Sequence, residues 1–261
     1  MKFFCMGSGS SGNCYYLLDG NDGIIIDMGI GIRYLKRYFD EYGFALDRIR
    51  AVFVTHDHTD HVKSVGKLSA ELGVPVYATE SVHRGMLTNP FMHRKVDEAL
   101  RRPISLGEAV EVGPFSVTAV HVPHDASDNS AYFVRAGGTT FLLITDAGRI
   151  TEELGGYIRQ AENLVIEANY DPAMLESGPY PKFLKRRISC GTGHSSNVET
   201  AAALQQYLSP EARRVWLCHL SEENNHPELA RKTVETALQA AGLTPELCVL
   251  KRRVPSGVTE L

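Results

Sequence analysis

The chain has 261 residues, of which 43% are hydrophobic and 22% are charged, and its net charge is −4 at pH 7. This composition predicts a globular protein with a substantial core, and the net charge argues against a protein that coats nucleic acid with its whole surface. The apolar runs are only as long as strands, and the amino terminus lacks a basic-then-apolar leader, so we expect neither a membrane span nor a secretion signal. Five cysteines without a CxxC pair are typical of reduced thiols, which predicts a cytoplasmic protein.

The chain is predicted to begin with hairpin strands at residues 2–6, 15–18 and 24–27, because β-branched and aromatic runs there are separated by turn signals. The first turn, Gly7–Asn13, is rich in glycine and serine. Its backbone N–H groups can approach a phosphate closely, and a plain hairpin loop fits the same residues equally well. An amphipathic helix at residues 32–42, ended by a glycine, follows.

The segment Thr55–His61 holds three imidazoles and two carboxylates directly after the apolar run 51–54, which reads as a buried strand. Apolar residues at helical spacing follow as far as Leu72, so the cluster lies on a strand-to-helix loop, where α/β sheets place their chemistry. Imidazole nitrogen together with carboxylate oxygen suits zinc, iron or manganese better than calcium. A polar surface turn with coincidental histidines is the alternative, and the density of the cluster disfavours it.

The remaining elements repeat this plan. Residues from Thr79 or Glu80 onwards predict a helix whose basic stretch is either a solvated face or a lid over an anionic substrate; its members are His83, Arg84, His93, Arg94 and Lys95. Further strands are predicted at 74–78, 115–122, 131–135, 140–145, 164–167 and 215–218, and further helices at 152–159, from Ser196 or Asn197 to 208, and at 227–239. Hairpin strands followed by helix–strand alternation thus occur twice without a linker. We expect one α/β domain over residues 1–261, with two mixed sheets packed face to face and helices outside.

Later strand ends deliver the same types of ligand, at His124, Asp146 and His219. We expect the first metal ion to be held by His56, His58, His124 and Asp146, and the second by Asp60, His61, His219 and the same Asp146. Two divalent ions about 3.5–4 Å apart lower the pKa of a water from ~15.7 to around 7. His121 competes with His124, but it lies within a strand, so we prefer His124.

The His-x-His-x-Asp-His run at 56–61, with the later His, Asp and His, resembles the metallo-β-lactamase superfamily over nearly the whole chain. Within it, the strings at 8–14, 123–126, 167–171, 193–197 and 219–226 resemble the YycJ (WalJ) group. The resemblance implies a four-layered αββα sandwich. It also implies a phosphodiesterase, specifically a 5′-to-3′ exonuclease on DNA, with two divalent ions that are zinc or manganese, or else iron.

In this hypothesis a hydroxide between the metal ions attacks the phosphodiester. Asp146 offers a hard oxygen where true lactamases place a thiolate, which disfavours lactam hydrolysis. His194 resembles the auxiliary histidine of the nuclease branches, and we expect it to act as general acid for the departing sugar oxygen. Glu167 either hydrogen-bonds His194 and raises its pKa or pairs with an arginine. The expected catalytic residues are Asp60, His194 and Glu167.

The basic run 182–187, with aromatic residues interleaved, is either solvated charge or a set of phosphate contacts. The substrate contacts predicted from these and other segments are Ser8, Asn13, Lys182 and Ser195. Two other functions fit the same ligands: a phosphodiesterase for cyclic nucleotides or cyclic phosphates, and a non-catalytic module that metal merely stabilises. A glyoxalase-type thioesterase is disfavoured, because no segment is dedicated to a glutathione-like thiol. A nuclease that processes tRNA ends is disfavoured because no long protruding arm is inserted. A nuclease of the ribonuclease J type is disfavoured because its large extra domain is missing.

Overall fold

The two predicted mixed sheets are present in the computed structural model, which describes residues 1–261, and each contains seven strands. The first seven strands in the chain are β1 (Lys2–Gly7), β2 (Cys14–Asp19), β3 (Asp22–Ile26), β4 (Ile49–Phe53), β5 (Val76–Ala78), β6 (Arg101–Pro103) and β7 (Ala109–Val112). The other seven are β8 (Phe115–His121), β9 (Ser130–Ala136), β10 (Thr139–Ile144), β11 (Asn163–Glu167), β12 (Arg214–Cys218), β13 (Glu246–Val249) and β14 (Val258–Glu260).

Nine α-helices connect the strands or follow them. They are α1 (Ile32–Glu41), α2 (Thr59–Val62), α3 (Val65–Leu72), α4 (Glu80–Thr88), α5 (Glu152–Ile158), α6 (Pro172–Ser177), α7 (Lys182–Ser189), α8 (Asn197–Tyr207) and α9 (Pro227–Ala240). None of them is both long and apolar enough to cross a membrane.

The strand order is β14-β1-β2-β3-β4-β5-β6 in the first sheet and β13-β12-β11-β10-β9-β8-β7 in the second. Hairpin-connected strands pair antiparallel, and the strands β3 to β6 and β10 to β13 pair in parallel. The parallel register places the ends of β10, β11 and β12 side by side, since Ile144 pairs with Ile166 and Glu167 with Cys218. The residues that follow these strands therefore emerge at one edge of the sheet.

Three apolar clusters produce the layering. One lies between the sheets, where the ring of Phe3 is 5.1 Å from that of Phe141 and 4.9 Å from that of Trp216. A second lies between the first sheet and helices that include α1 and α3, and a third between the second sheet and α5, α8 and α9. The predicted αββα sandwich is therefore confirmed.

Two predicted helices differ from the observed ones. The helix after the histidine cluster is interrupted between α2 and α3. The N–H of Ser64 donates to the carbonyl of Met28 at 2.9 Å instead of to a carbonyl of the helix. The helix from Glu80 ends at Thr88, since Pro90 disfavours helical conformation in the residue before it. His93, Arg94 and Lys95 consequently lie beyond α4, and His83 is buried rather than on a solvated face or a lid.

Candidate metal centre

The predicted ligands come from loops that follow strands of both sheets and meet at one edge of the sandwich. Three of the residues in these loops, Asp27, Asp146 and His219, have left-handed backbone conformations with φ of 60°, 52° and 54°. Such conformations are costly for non-glycine residues and cluster at functional sites. The sharp turn after each strand directs the side chain towards the common centre.

The structure brings the first predicted ligand group together. Nitrogen atoms of His56, His58 and His124 lie within 4.8 Å of one another. The Nε2 atom of His124 is 3.4 Å from Nδ1 of His58 and 3.8 Å from Oδ1 of Asp146. The other ring nitrogen of His124, Nδ1, donates to the carbonyl of Gly193 at 2.9 Å, so Nε2 keeps its lone pair for the centre.

The second predicted group lies beside the first. One oxygen of Asp60 is 3.7 Å from Nε2 of His61 and 3.6 Å from Nε2 of His219. The Oδ2 atom of Asp146 is 3.1 Å from Nε2 of His61, while its Oδ1 atom faces His124. The carboxylate of Asp146 therefore reaches both groups, as a bridging ligand must.

The donor atoms fit two divalent cations. Nε2 of His56 and Nε2 of His219 are buried and have no hydrogen-bond partner in the protein. An unsatisfied buried nitrogen costs free energy, and a metal ion would take up its lone pair. A set of imidazoles and carboxylates suits zinc, manganese or iron. The geometry thus agrees with the expected ligands, and their individual roles stay a prediction.

Electrostatics within the centre follow from the close packing of opposite charges. Burial acts to lower the pKa of His219, but the carboxylates of Asp146, Asp60 and Glu167 outweigh it and raise that pKa to about 10. Burial acts to raise the pKa of Asp146, yet His219 and His61 hold it well below its usual range. The carboxylates thus stay ionised, and because a ligating imidazole must be neutral, binding of divalent ions would release the proton that these carboxylates favour on His219.

Asp27 supports the centre, a role that was not predicted from the sequence. Its carboxylate accepts hydrogen bonds from the backbone N–H and the hydroxyl of Thr55, both at 2.8 Å, and from Nδ1 of His61 at 2.7 Å. This fixes the His61 tautomer with its Nε2 lone pair towards Asp146. Asp27 follows the apolar strand β3 just as Asp146 follows the apolar strand β10, and that shared position was a usable signal.

Glu167 pairs with histidines rather than with an arginine. Its Oε1 accepts from Nδ1 of His194 at 2.8 Å and from Nδ1 of His219 at 2.9 Å. Its Oε2 accepts from the N–H groups of Ala147 at 2.9 Å and Ser195 at 3.1 Å. Although Glu167 lies within ligand distance of Asp146, His194 and His219, these four hydrogen bonds occupy its oxygens and make it a support for both imidazoles.

The expected direction of the His194 pKa agrees with this geometry. Burial acts to lower the pKa of His194, but the charge and hydrogen bond of Glu167 outweigh it and raise that pKa. Burial likewise opposes ionisation of Glu167, and the neighbouring His194 holds the pKa of Glu167 below its usual value.

His121 stands apart from the cluster. Its side chain is half exposed, and its Nδ1 is 3.4 Å from a carboxylate oxygen of Asp128. The structure therefore brings His124, and not His121, to the other imidazoles.

The predicted substrate contacts do not face the cleft as a set. Ser8, Asn13 and Ser195 are buried. Ser8 Oγ accepts from the N–H of His219 at 2.9 Å, and Ser195 Oγ donates to the carbonyl of Ala147 at 2.6 Å. Asn13 Oδ1 accepts from the N–H of Gly9 at 2.8 Å. Nδ2 of Asn13 also lies 2.9 Å from Nε2 of His61. These polar groups thus bond to the loops and side chains of the site, which is why they point inward.

An open cleft of about 320 Å³ lies over the centre. Lys182 does not line it; the predicted basic run contributes Arg187 instead, together with Tyr180 just upstream. Arg187 forms an ion pair with Asp125, the residue after His124. The interleaved aromatic and basic residues before His194 were the signal for this wall of the cleft.

Comparison with known proteins identifies this arrangement. Residues 23–220 match a family described as the β-lactamase superfamily domain. The chain is 32% identical to the exodeoxyribonuclease WalJ of Streptococcus pneumoniae serotype 2 (strain D39) and 31% identical to the exodeoxyribonuclease YycJ of Bacillus anthracis, covering in each case 93% of this chain and 90% of the relative. The chain belongs to the metallo-β-lactamase superfamily.

The structure of the metallo-β-lactamase fold protein YhfI from Bacillus subtilis superposes on 99% of both chains with a TM-score of 0.73 and 18% identity, which supports the fold alone. As a member of the superfamily, the chain is a metal-dependent hydrolase. Its histidine and aspartate groups are typical of a metallo-β-lactamase centre with two metal ions.

Proposed function

We propose that this metallo-β-lactamase hydrolase is a DNA phosphodiesterase that degrades strands as a 5′-to-3′ exonuclease. The observation that carries the proposal is the position of Asp146, whose oxygens lie 3.8 Å from His124 and 3.1 Å from His61 and so connect two groups of ligands. Support for DNA as the substrate comes from relatives at 31–32% identity that are named exodeoxyribonucleases and align over 93% of this chain.

In the proposed site, one ion would be held by His56, His58 and His124 and the other by Asp60, His61 and His219, and Asp146 would serve both. Two divalent ions in these positions, zinc or manganese, would neutralise charge on a phosphodiester and make water a nucleophile at neutral pH. The carboxylate of Asp60 is partly exposed to the cleft. It can accept a hydrogen bond from the attacking water and so orient it.

His194 is placed to serve the leaving group. Glu167 holds Nδ1 of His194, and the imidazole lines the cleft beside Asp146 and His219. Its Nε2 is therefore left to donate a proton to the departing sugar oxygen, which must come within ~2.6–3.2 Å. The hydrogen bond that Nδ1 donates to Glu167 fixes the orientation of the ring, and the charge of Glu167 favours its protonated form.

Degradation of end-labelled oligonucleotides tests the proposal. We expect 5′-phosphorylated DNA to be shortened from its 5′ end in the presence of manganese or zinc, and Asp146→Ala to abolish the reaction. Asp40→Ala, on the exposed side of α1, is the matched control and should retain wild-type activity.

Two outcomes would contradict the proposal. Hydrolysis of cyclic nucleotides or cyclic phosphates without any DNA cleavage would favour a small-molecule phosphodiesterase. Saturation with two metal ions but no turnover of any diester, including bis-p-nitrophenyl phosphate, would favour a module that metal only stabilises.

A further inference from the structure

A second and larger groove lies next to the metal cleft. Its volume is about 980 Å³, and its lining contains no aspartate or glutamate. The cations that line it are Arg33, Arg37, Lys63, Lys67, Arg94, Arg252 and Arg253, and we call this surface the basic groove. Since the whole chain carries a net charge of −4, this positive charge is a local concentration rather than a general property of the surface.

Most of these charges are not neutralised within the protein. Arg94 pairs with Asp97 and Arg252 with Glu222. The other five cations of the groove have no carboxylate partner within 4.0 Å. A concave surface with unpaired charge of one sign attracts a partner of the opposite sign, here a polyanion.

The basic groove and the metal cleft share a thin wall. Ser10 lines the cleft, and the next two residues, Ser11 and Gly12, line the groove. At the other end of the wall, Arg252 of the groove donates to the carbonyl of Leu220 at 3.1 Å, next to Ser221 of the cleft. A chain molecule that leaves the cleft over the loop 10–12 therefore enters the groove.

Aromatic rings accompany the charges. Tyr34 is 54% exposed at the groove, and the guanidinium carbon of Arg37 lies 5.1 Å from the centre of its ring and 4.9 Å from that of Tyr38. Exposed aromatic rings among cations are the features by which proteins hold single-stranded nucleic acid, through stacked bases and contacted phosphates. An anionic lipid surface would use the charges but not a groove with a stacking ring.

We infer that the basic groove holds a single DNA strand that continues from the cleft, with phosphates on Arg33, Arg37 and Lys67 and a base stacked on Tyr34. The inference rests on the proposed nuclease function and adds to it the path of the uncleaved part of the substrate. It predicts that strand length and salt affect DNA cleavage but not the hydrolysis of a diester that fills only the cleft.

The test combines Arg33→Gln, Arg37→Gln and Lys67→Gln in the metal-loaded protein. We expect kcat/KM on a 5′-phosphorylated single strand to fall by roughly tenfold or more at about 0.15 M salt. The logarithm of kcat/KM decreases linearly with the logarithm of salt concentration. This dependence should become less steep by about 2, since each phosphate contact on a single strand contributes about 0.7 to the slope. Hydrolysis of bis-p-nitrophenyl phosphate should stay at the wild-type rate.

Two further variants complete the test. Arg159→Gln, Arg213→Gln and Lys232→Gln together change the net charge equally at exposed positions outside both the groove and the cleft, and should leave DNA cleavage unchanged. Tyr34→Leu replaces the ring of a side chain that is 54% exposed. It should raise KM for the single strand severalfold, whereas Tyr34→Phe should not.

The results separate this inference from the proposed function. Wild-type DNA cleavage by both the triple groove variant and Tyr34→Leu would overturn the groove and leave the nuclease intact. Wild-type cleavage by the triple variant together with lost binding to phosphatidylglycerol vesicles would overturn it in favour of a membrane surface. If the wild-type protein hydrolyses bis-p-nitrophenyl phosphate but no DNA, the proposed function itself fails.

Discussion

At the scale of single residues, His194 is the side chain whose role depends on the substrate. A sugar oxygen leaves readily only when it is protonated, whereas p-nitrophenolate leaves without a proton. We therefore expect His194→Ala to lower kcat on DNA by about 100-fold or more and to have a much smaller effect on bis-p-nitrophenyl phosphate. His121→Ala, which removes the half-exposed histidine outside the cluster, is the control and should affect neither rate. Equal losses on both substrates would show that His194 supports the metal ions rather than the leaving group.

Asp27 gives a second prediction at this scale, about metal affinity. The substitution Asp27→Asn keeps the shape of the side chain but removes the charge that accepts three hydrogen bonds from Thr55 and His61. Because such partners orient a ligating imidazole and raise its basicity, we expect metal affinity to fall by about 10–100-fold. Competition titration with a chromophoric chelator measures it, with the exposed Asp40→Asn as control. Unchanged affinity in Asp27→Asn would mean that the charge of Asp27 does not support ligation by His61.

At the scale of elements, the start of α8 connects fold stability with the position of His194. Ser196 Oγ accepts from the N–H of Glu199 at 3.1 Å, and the Glu199 carboxylate accepts in return from the N–H of Ser196 at 2.8 Å. Ser196→Ala should lower the free energy of unfolding by roughly 0.5–2 kcal/mol, measured by urea denaturation, and should also lower kcat on DNA, since His194 lies two residues before the cap.

The matched control is Thr151→Ala at the start of α5, where Thr151 Oγ1 accepts from the N–H of Leu154 at 3.2 Å. It should cost a similar free energy of unfolding and leave kcat unchanged. If both variants lose activity in proportion to stability, the cap of α8 has no specific effect on the site.

Long periodic elements could be predicted from the sequence because their apolar pattern is set by one buried face. Strands such as β4 and β10 and the helices α8 and α9 lie close to their predicted positions. Elements that depend on distant partners could not. The three-residue edge strands β6 and β14 exist because β5 and β1 offer them free backbone groups, and the break before α3 exists because Ser64 bonds to Met28.

At the scale of the whole molecule, the site is assembled from both halves of the chain. Strand ends and ligand types indicated which side chains would meet, and they do meet. The sequence could not show which small polar residues are used within the loops. Ser8 and Asn13 look like substrate contacts until the fold shows that Ser8 accepts from His219, 211 residues away, and that Asn13 bonds both within its own loop and to Nε2 of His61. The basic groove was hidden for the same reason, since its cations come from segments far apart in the chain.

The central claim is that Asp146 bridges two cations, and counting the metal ions tests it most directly. Metal content per chain should be measured by mass spectrometry, together with diester hydrolysis, for the wild-type protein and Asp146→Ala reconstituted with manganese or zinc. We predict two ions per wild-type chain and, in Asp146→Ala, at most one ion and no turnover. Two ions and full turnover in Asp146→Ala, or a single ion in a fully active wild-type chain, would contradict the account.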